Sequence, residues 1–194
     1  KVSSHYFIKN NGQILTLVPD LYTAWHSGIS YWKNYKLINR YSIGIEISNP
    51  GHSNYKNFSK KQITSILKLS KFLVKKYKIK SKFILGHSDI APDRKKDPGE
   101  KFPWKYLSKR KIGIWHDLDK NKILGERNKK ISKVDENIFS KNLFKIGYSK
   151  NLIKKNNLYL KLLVKAFQRR FRQELINGII DKECLIISEK LVNK

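Results

Sequence analysis

The segment GHSDIAPDRKKDPG, residues 86–99, contains a histidine and an aspartate that could bind one metal ion together. His87 follows a short apolar run, and Asp97 lies further along the same Pro-containing segment. A catalytic zinc ion commonly takes three nitrogen or oxygen ligands from the protein and keeps a fourth position for water. His87 and Asp97 could supply two of the three. Taken alone, each has a simpler interpretation: a strand-end histidine bonded to backbone, and a turn residue before Pro-Gly.

A glutamate in an apolar strand is the next candidate. The run Ser42-Ile43-Gly44-Ile45-Glu46-Ile47 predicts a buried strand, closed by Asn49-Pro50-Gly51. An unpaired carboxylate in such a strand is costly, so we expect Glu46 to be functional or paired.

Three more predicted strands and a helix must position these groups. Tyr6-Phe7-Ile8 and residues 14–18 are β-rich runs joined by Asn10-Asn11-Gly12, which predicts a hairpin. Ser59 is a suitable N-cap for a one-faced helix that extends to Tyr77. Phe83-Ile84-Leu85 predicts a further buried strand that ends at Gly86-His87. Strands with an interspersed helix predict an α/β domain, with a mixed central sheet flanked by helices, over residues 1–118.

The remainder of the chain predicts a small helical unit. Residues 119–135 are polar and charged and are interpreted as a linker. Residues 136–194 predict three helices, the last capped by Asp181. The single cysteine, Cys184, excludes an internal disulfide framework and lies among apolar residues of that last helix.

Charge and hydropathy limit the classes of partner. The chain has 42 Lys+Arg against 15 Asp+Glu, a formal charge of +27, which favours any polyanion: nucleic acid, anionic lipid or an acidic wall polymer. The lysines are spread along the chain, which also fits a coding bias. No apolar run approaches the length of a transmembrane helix, and no signal peptide stands at the start. The chain has no methionine, so we expect Lys1 to lie within a longer translation product.

Residues 86–99, together with VSSHY, LVPD, AWHSGIS, SIGIEI and KFPWKYL, closely resemble zinc-dependent N-acetylmuramoyl-L-alanine amidases of the AmpD/AmiD type. The resemblance extends over residues 2–118. It implies that His87 and Asp97 bind Zn²⁺, that Glu46 is the general base and that Lys95 stabilises the transition state. Without the resemblance, Lys95 would be one solvated lysine among many.

The resemblance also implies a role for the loop that contains Trp25 and His26. In the family this loop borders the cleft, so both residues are candidate substrate contacts; the alternative is an aromatic cluster that only packs. His5 matches a structural strand position of the family and is not expected to bind metal. A sequence that begins like a calcium loop at Asp117 lacks the glycine and the closing glutamate that such a loop needs.

One departure concerns the metal site. The first zinc histidine of the family sits on a strand upstream of Val2, and no residue of this chain covers that strand. Two ligands rarely hold catalytic zinc tightly, so the N-terminally incomplete domain is expected to be impaired if nothing precedes it.

The C-terminal residues 166–183 resemble the last helices of the small peptidoglycan-binding domain that follows the catalytic domain in AmiD-like enzymes; a generic helical appendage is the alternative.

Three hypotheses follow. The first is an amidase that hydrolyses the bond between N-acetylmuramic acid, or its 1,6-anhydro form, and L-alanine, for wall turnover or recycling. The second is a peptidoglycan-binding protein without catalysis. The third, a nucleic-acid binder, is suggested by charge alone and lacks any recognised readout motif. For the first two we expect a monomer that binds peptidoglycan or muropeptides in the bacterial cell envelope or outside the cell.

Overall fold

The computed structural model describes residues 2–149 and 157–194. The strands are β1 (Tyr6–Ile8), β2 (Ile14–Thr16), β3 (Tyr31–Trp32), β4 (Tyr35–Lys36) and β5 (Ile45–Ile47). The helices are α1 (Lys60–Tyr77), α2 (His87–Ile90), α3 (Trp104–Ser108), α4 (Lys120–Leu124), α5 (Lys133–Ile146), α6 (Asn157–Phe171) and α7 (Lys182–Val192). Short 3-10 turns lie at Ile38–Tyr41, His52–Asn54 and Ser81–Phe83.

The main sheet is mixed, as the sequence predicts. Its order is β2-β1-β5, with β1 antiparallel to β2 and parallel to β5. The β1–β2 hairpin turns at Asn10-Asn11-Gly12, and Gly12 adopts a φ of +86°, which a glycine reaches without strain. Strands β3 and β4 form a separate antiparallel pair. The parallel β1–β5 pair places Glu46 opposite Phe7.

Helix α1 begins with a capping box at Ser59, as predicted. Ser59 Oγ accepts a hydrogen bond from Gln62 N (3.1 Å), and Ser59 N donates to Gln62 Oε1 (3.0 Å). Ile66, Leu69 and Leu73 are buried on the face of α1 that shares a core with β1. The helix therefore covers one face of the sheet, as its apolar spacing indicates.

Two strand predictions were wrong in detail. The run 83–85 is no strand: a 3-10 turn ends at Phe83, and Ile84 is extended without a ladder partner among the described residues. A strand forms only where a second strand pairs with it, and local sequence does not reveal that partner. The predicted buried strand 42–47 is reduced to β5, which lies at an edge of the sheet and leaves Glu46 exposed.

The C-terminal helices α5, α6 and α7 pack around a core of their own. Phe139, Leu143, Phe167 and Ile187 are fully or almost fully buried there. Asp181 caps α7 by accepting a hydrogen bond from Cys184 N (3.0 Å).

This core also includes residues of the N-terminal region. Trp32, Ile38, Ile90 and Ala91 belong to the same buried cluster as α5, α6 and α7. The segment 119–135, interpreted as a linker, contains α4 and the start of α5. Among the described residues, no helix combines the length and apolar character that crossing a membrane requires.

Candidate active site

His87 and Asp97 lie side by side. His87 is the first residue of α2, and its Nδ1 is 3.0 Å from Asp97 Oδ2. Its other ring nitrogen, Nε2, is 3.0 Å from the carbonyl oxygen of Ser27. Because a carbonyl oxygen only accepts, Nε2 must carry the hydrogen of that bond. In a neutral ring, Nδ1 then presents a lone pair to the carboxylate.

A lone pair and a carboxylate oxygen at this separation repel each other unless a positive charge lies between or beside them. A proton on Nδ1 or a metal ion bound by both atoms satisfies that need. A backbone carbonyl that fixes the remote nitrogen is the usual companion of a metal-binding histidine. The donors, one imidazole nitrogen and one carboxylate oxygen, fit two positions of a zinc site. Among the described residues, no group of three or more His, Cys, Asp or Glu could hold a metal.

The loop that carries Asp97 is fixed by Tyr55. Tyr55 Oη donates to Pro98 O (2.9 Å) and accepts from Lys101 N (2.8 Å). A Cβ on Gly99, whose φ is +83°, would lie 2.2 Å from Tyr55 Oη, so this approach requires glycine. Sequence reasoning missed Tyr55, since no local pattern links it to a loop more than 40 residues later.

The charge of Asp97 is stabilised by its neighbours. Burial acts to raise the pKa of the Asp97 carboxyl, but the hydrogen bond and charge of a His87 ring that carries a proton on Nδ1, with the charge of Lys95, hold it below its ordinary value. The carboxyl group is 56% exposed. A carboxylate that is ionised and open to solvent is suited to bind a cation.

Glu46 faces the cavity to which His87 and Asp97 belong. All three line a cavity of about 770 Å³, and His26 lies in the same wall. The expectation that Glu46 is buried was wrong: Glu46 is exposed, and it lines this open cavity on β5, an edge strand of the described sheet. An exposed carboxylate that lines the cavity is accessible to a water molecule there, as a general base must be.

His26 is a neutral ring in the cavity wall. Burial lowers the pKa of His26 to about 4, and charge on His5 or His87 would act in the same direction. A Cβ on Gly44 would lie 2.3 Å from His26 Cγ, so the glycine between Ile43 and Ile45 makes room for the ring. This explains why the SIGIEI run contains glycine at that position.

Asn39 positions the loop in front of His87 and was missed by sequence reasoning. Its Oδ1 accepts hydrogen bonds from His26 N (3.0 Å) and Ser27 N (2.8 Å). Asn39 is 9% exposed. No local sequence pattern identifies it, because its burial and its partners 12 and 13 residues earlier appear only in the fold.

Two predicted site residues lie outside this wall. Lys95 is partly exposed beside Asp97, on whose pKa its charge acts, and does not line the described cavity. Trp25 is 58% exposed, and its backbone N–H donates to Ser3 Oγ (2.9 Å). The structure thus places His87, Asp97, Glu46 and His26 in the wall of one cavity and leaves Lys95 and Trp25 at the periphery.

His5 is structural, as predicted. It is 1% exposed, its Nδ1 accepts from Gly44 N (3.0 Å) and its Nε2 donates to Tyr22 O (3.0 Å). With both nitrogens engaged, its role is to join β1 to the segment before β5.

The chain is similar to several known proteins. The family model described as N-acetylmuramoyl-L-alanine amidase, Amidase_2, matches residues 1–100. The N-acetylmuramoyl-L-alanine amidase AmiD of Escherichia coli K12 is 34% identical over 209 aligned positions, which cover 100% of this chain and 75% of AmiD. The 1,6-anhydro-N-acetylmuramyl-L-alanine amidase AmpD of Haemophilus influenzae is 40% identical over 110 positions, 56% of this chain and 58% of AmpD.

A solved structure matches nearly the whole fold. The complex of E. coli AmiD with the substrate anhydro-N-acetylmuramic acid-L-Ala-D-gamma-Glu-L-Lys superimposes with a TM-score of 0.86 at 35% identity. The match covers 99% of this chain and 79% of that chain. The likeness to AmiD therefore includes the C-terminal helices, whereas the likeness to AmpD covers about half of the chain.

Proposed function

The chain belongs to the N-acetylmuramoyl-L-alanine amidase family, and we propose that it hydrolyses the amide bond between N-acetylmuramic acid, in its 1,6-anhydro form, and L-alanine. The observation that carries this proposal is the contact of His87 Nδ1 with Asp97 Oδ2 (3.0 Å) in the wall of a cavity that Glu46 also lines. The named substrate of AmiD supports the choice of the anhydro form. The reaction would serve wall turnover or recycling.

The proposed mechanism assigns His87 and Asp97 to a zinc ion. Such an ion would polarise the amide carbonyl and make a bound water more acidic. Ser27 O keeps the hydrogen of His87 on Nε2, so that Nδ1 stays free to bind. Asp97 contributes an ionised oxygen beside it.

Glu46 would move the proton. Its carboxylate takes a proton from the attacking water and gives it to the amine of L-alanine as that group leaves. Lys95, beside Asp97, is the proposed stabiliser of the negative charge that develops on the carbonyl oxygen. His26, neutral at physiological pH, and Trp25, at the periphery, are the proposed substrate contacts.

The experiment measures release of the stem peptide from anhydro-N-acetylmuramoyl tripeptide by chromatography. We expect hydrolysis that a chelator abolishes and Zn²⁺ restores. Glu46→Gln should lower the rate about 10²- to 10⁴-fold, the usual contribution of a general base. Glu136→Gln, which removes a partly exposed carboxylate that pairs with Lys133 on α5, is the matched control and should hydrolyse like the wild type. Equal rates for the two variants would refute the assignment of Glu46.

A second candidate function is peptidoglycan binding without hydrolysis. It is favoured by the metal-ligand set of the described residues, in which His87 and Asp97 have no third His, Cys, Asp or Glu near enough to complete a site. Pull-down with peptidoglycan together with no peptide release at any zinc concentration would support it. Peptide release that depends on zinc would exclude it.

Residues 136–194, which include most of α5 and all of α6 and α7, are the proposed peptidoglycan-binding region, and the cell envelope or the extracellular space is the proposed location. The carboxylates of stem peptides would attract a chain of charge +27. This attraction weakens as salt screens exposed charges. Retention on peptidoglycan should therefore fall as ionic strength rises.

A further inference from the structure

Asp89 joins the segment that contains His87 to the C-terminal helices. Its Oδ1 accepts a hydrogen bond from Tyr148 Oη (2.8 Å), 59 residues away and directly after α5. Its Oδ2 accepts from Gly86 N (2.7 Å) and from Arg170 Nη1 on α6. Asp89, Tyr148 and Arg170 are 2%, 1% and 2% exposed. The carboxylate thus sits in a closed network between the two regions.

Arg170 holds the chain on both sides of His87. Besides Asp89, it binds the carbonyl oxygen of Ile84 through Nη2 (2.8 Å). Its guanidinium lies 4.1 Å from the ring of Trp104, at the start of α3. One arginine of α6 therefore fixes the residues before and after His87 and stacks on the N-terminal core.

Helix α2 needs such support because it is short. It has four residues, and a single helical turn is not stable in water by itself. The bonds of Asp89 to Gly86, Tyr148 and Arg170 close the turn that begins at His87 and anchor it to α5 and α6. Small displacements of a metal-binding side chain reduce metal affinity and activity strongly.

We infer that Arg170 and Tyr148 are positioning residues for His87, acting through Asp89, so that the C-terminal helices complete the active site in addition to any role in wall binding. This inference rests on the proposed role of His87 as a metal ligand. The inference assigns to α6 a role in positioning His87, which its resemblance to a binding domain does not imply.

The chain contains a matched control for Arg170. Arg172 follows α6 and pairs with Asp181, and the two side chains are 1% and 2% exposed, like those of Arg170 and Asp89. Asp181 also caps a helix, α7, just as Asp89 closes α2. The Arg172 pair differs in place: it joins parts of the helical region and has no contact with residues 84–89 among its described partners.

The experiment compares Arg170→Lys with Arg172→Lys by amide hydrogen exchange. Lysine keeps the charge but lacks the planar fork that binds two partners at once. We expect Arg170→Lys to speed exchange of the amides of residues 86–91 about tenfold more than Arg172→Lys does at equal global stability. Equal protection of residues 86–91 in both variants would overturn the inference.

Tyr148→Phe keeps the test decisive if Arg170→Lys does not fold. It leaves the ring packed edge-on against Trp32, 5.0 Å between centroids, and removes the bond to Asp89. We expect about tenfold faster exchange at residues 86–91. Unchanged exchange there would contradict the inference.

A second readout is kinetic. Arg170→Lys should lower kcat of peptide release and leave KM unchanged, whereas Arg172→Lys should change neither. An equal fall of kcat in both lysine variants would contradict the inference. Because amide exchange needs no substrate or metal, a wild type without hydrolysis would refute the proposed function and leave the exchange test intact.

Discussion

The helical region contains charged side chains that are buried and paired, whereas two carboxylates of the cavity region are exposed. In the helical region Arg172, Asp181 and Glu183 are nearly inaccessible; Arg172 pairs with both carboxylates, and Arg127 adds a bond to Glu183 (2.6 Å). In the cavity Glu46 and Asp97 are exposed to solvent. Buried and paired charges fix a fold, whereas accessible charges can meet a substrate or a metal ion. In this chain, the buried charges therefore contribute to stability, and the exposed charges are available for chemistry.

The largest expected effect comes from breaking the buried ion-pair network around Arg172. Arg172→Met leaves Asp181 and Glu183 buried without this cation, and loss of one partner of a buried pair costs about 3–5 kcal/mol of the free energy of unfolding. Urea denaturation followed by circular dichroism measures it. Glu136→Gln at the surface should change the value by less than about 0.5 kcal/mol. A loss below 1 kcal/mol for Arg172→Met, on the same scale, would show that the network is not what stabilises the helices.

A smaller effect concerns Asp20, a paired carboxylate of the cavity region. It accepts hydrogen bonds from Tyr77 Oη (2.7 Å), Lys76 Nζ (2.9 Å) and Tyr6 Oη. Burial acts to raise the pKa of the Asp20 carboxyl, but these three bonds outweigh it and lower the pKa. The carboxyl therefore adds stability above its ordinary pKa of about 3.9, and this contribution is lost as pH falls through the lower folded value.

Asp20→Asn should cost about 1–2 kcal/mol at pH 7 and progressively less below pH 4. Urea denaturation of both proteins between pH 3 and pH 7 measures the difference. A difference that grows on acidification would have the wrong sign for a depressed pKa.

The smallest effect compares two helix caps, one in each region. Ser59 at α1 and Ser132 at α5 both form capping boxes, but Ser59 Oγ also donates to Asn10 O (2.9 Å) in the hairpin loop. Ser59→Ala should cost about 1 kcal/mol, and Ser132→Ala about half of that, because Ser132 Oγ bonds only within its own first turn, to Asp135 N (3.1 Å) and Asp135 Oδ2 (2.9 Å). Thermal denaturation of both variants measures the order. A larger loss for Ser132→Ala would contradict the account of the hairpin contact.

Local signals predicted much of the fold. The Asn-Gly hairpin, the Ser59 cap of α1 and the Asp181 cap of α7 depend on residues within a few positions of one another, and the structure contains all three. The prediction of a strand at 83–85 was wrong because strand pairing depends on residues that are far away in the sequence. The domain boundaries at residues 118 and 135 stay predictions.

The site was predictable in part for the same reason. His87 and Asp97 belong to one segment, so their meeting could be expected from sequence. Arg170 binds Asp89, which is 81 residues away in the sequence, and no local pattern predicts that bond. The sequence signal for such a bond is the arginines of QRRFR at the end of an apolar helix, since a buried guanidinium needs a carboxylate partner.

The central claim is that His87 and Asp97 share one zinc ion in the cavity that Glu46 faces. Zinc K-edge X-ray absorption on the zinc-loaded protein tests it most directly. We predict an imidazole contribution that His87→Ala removes, a smaller ligand shell in Asp97→Asn and an unchanged spectrum in Glu46→Gln. Identical spectra for the wild type, His87→Ala and Asp97→Asn would contradict the claim.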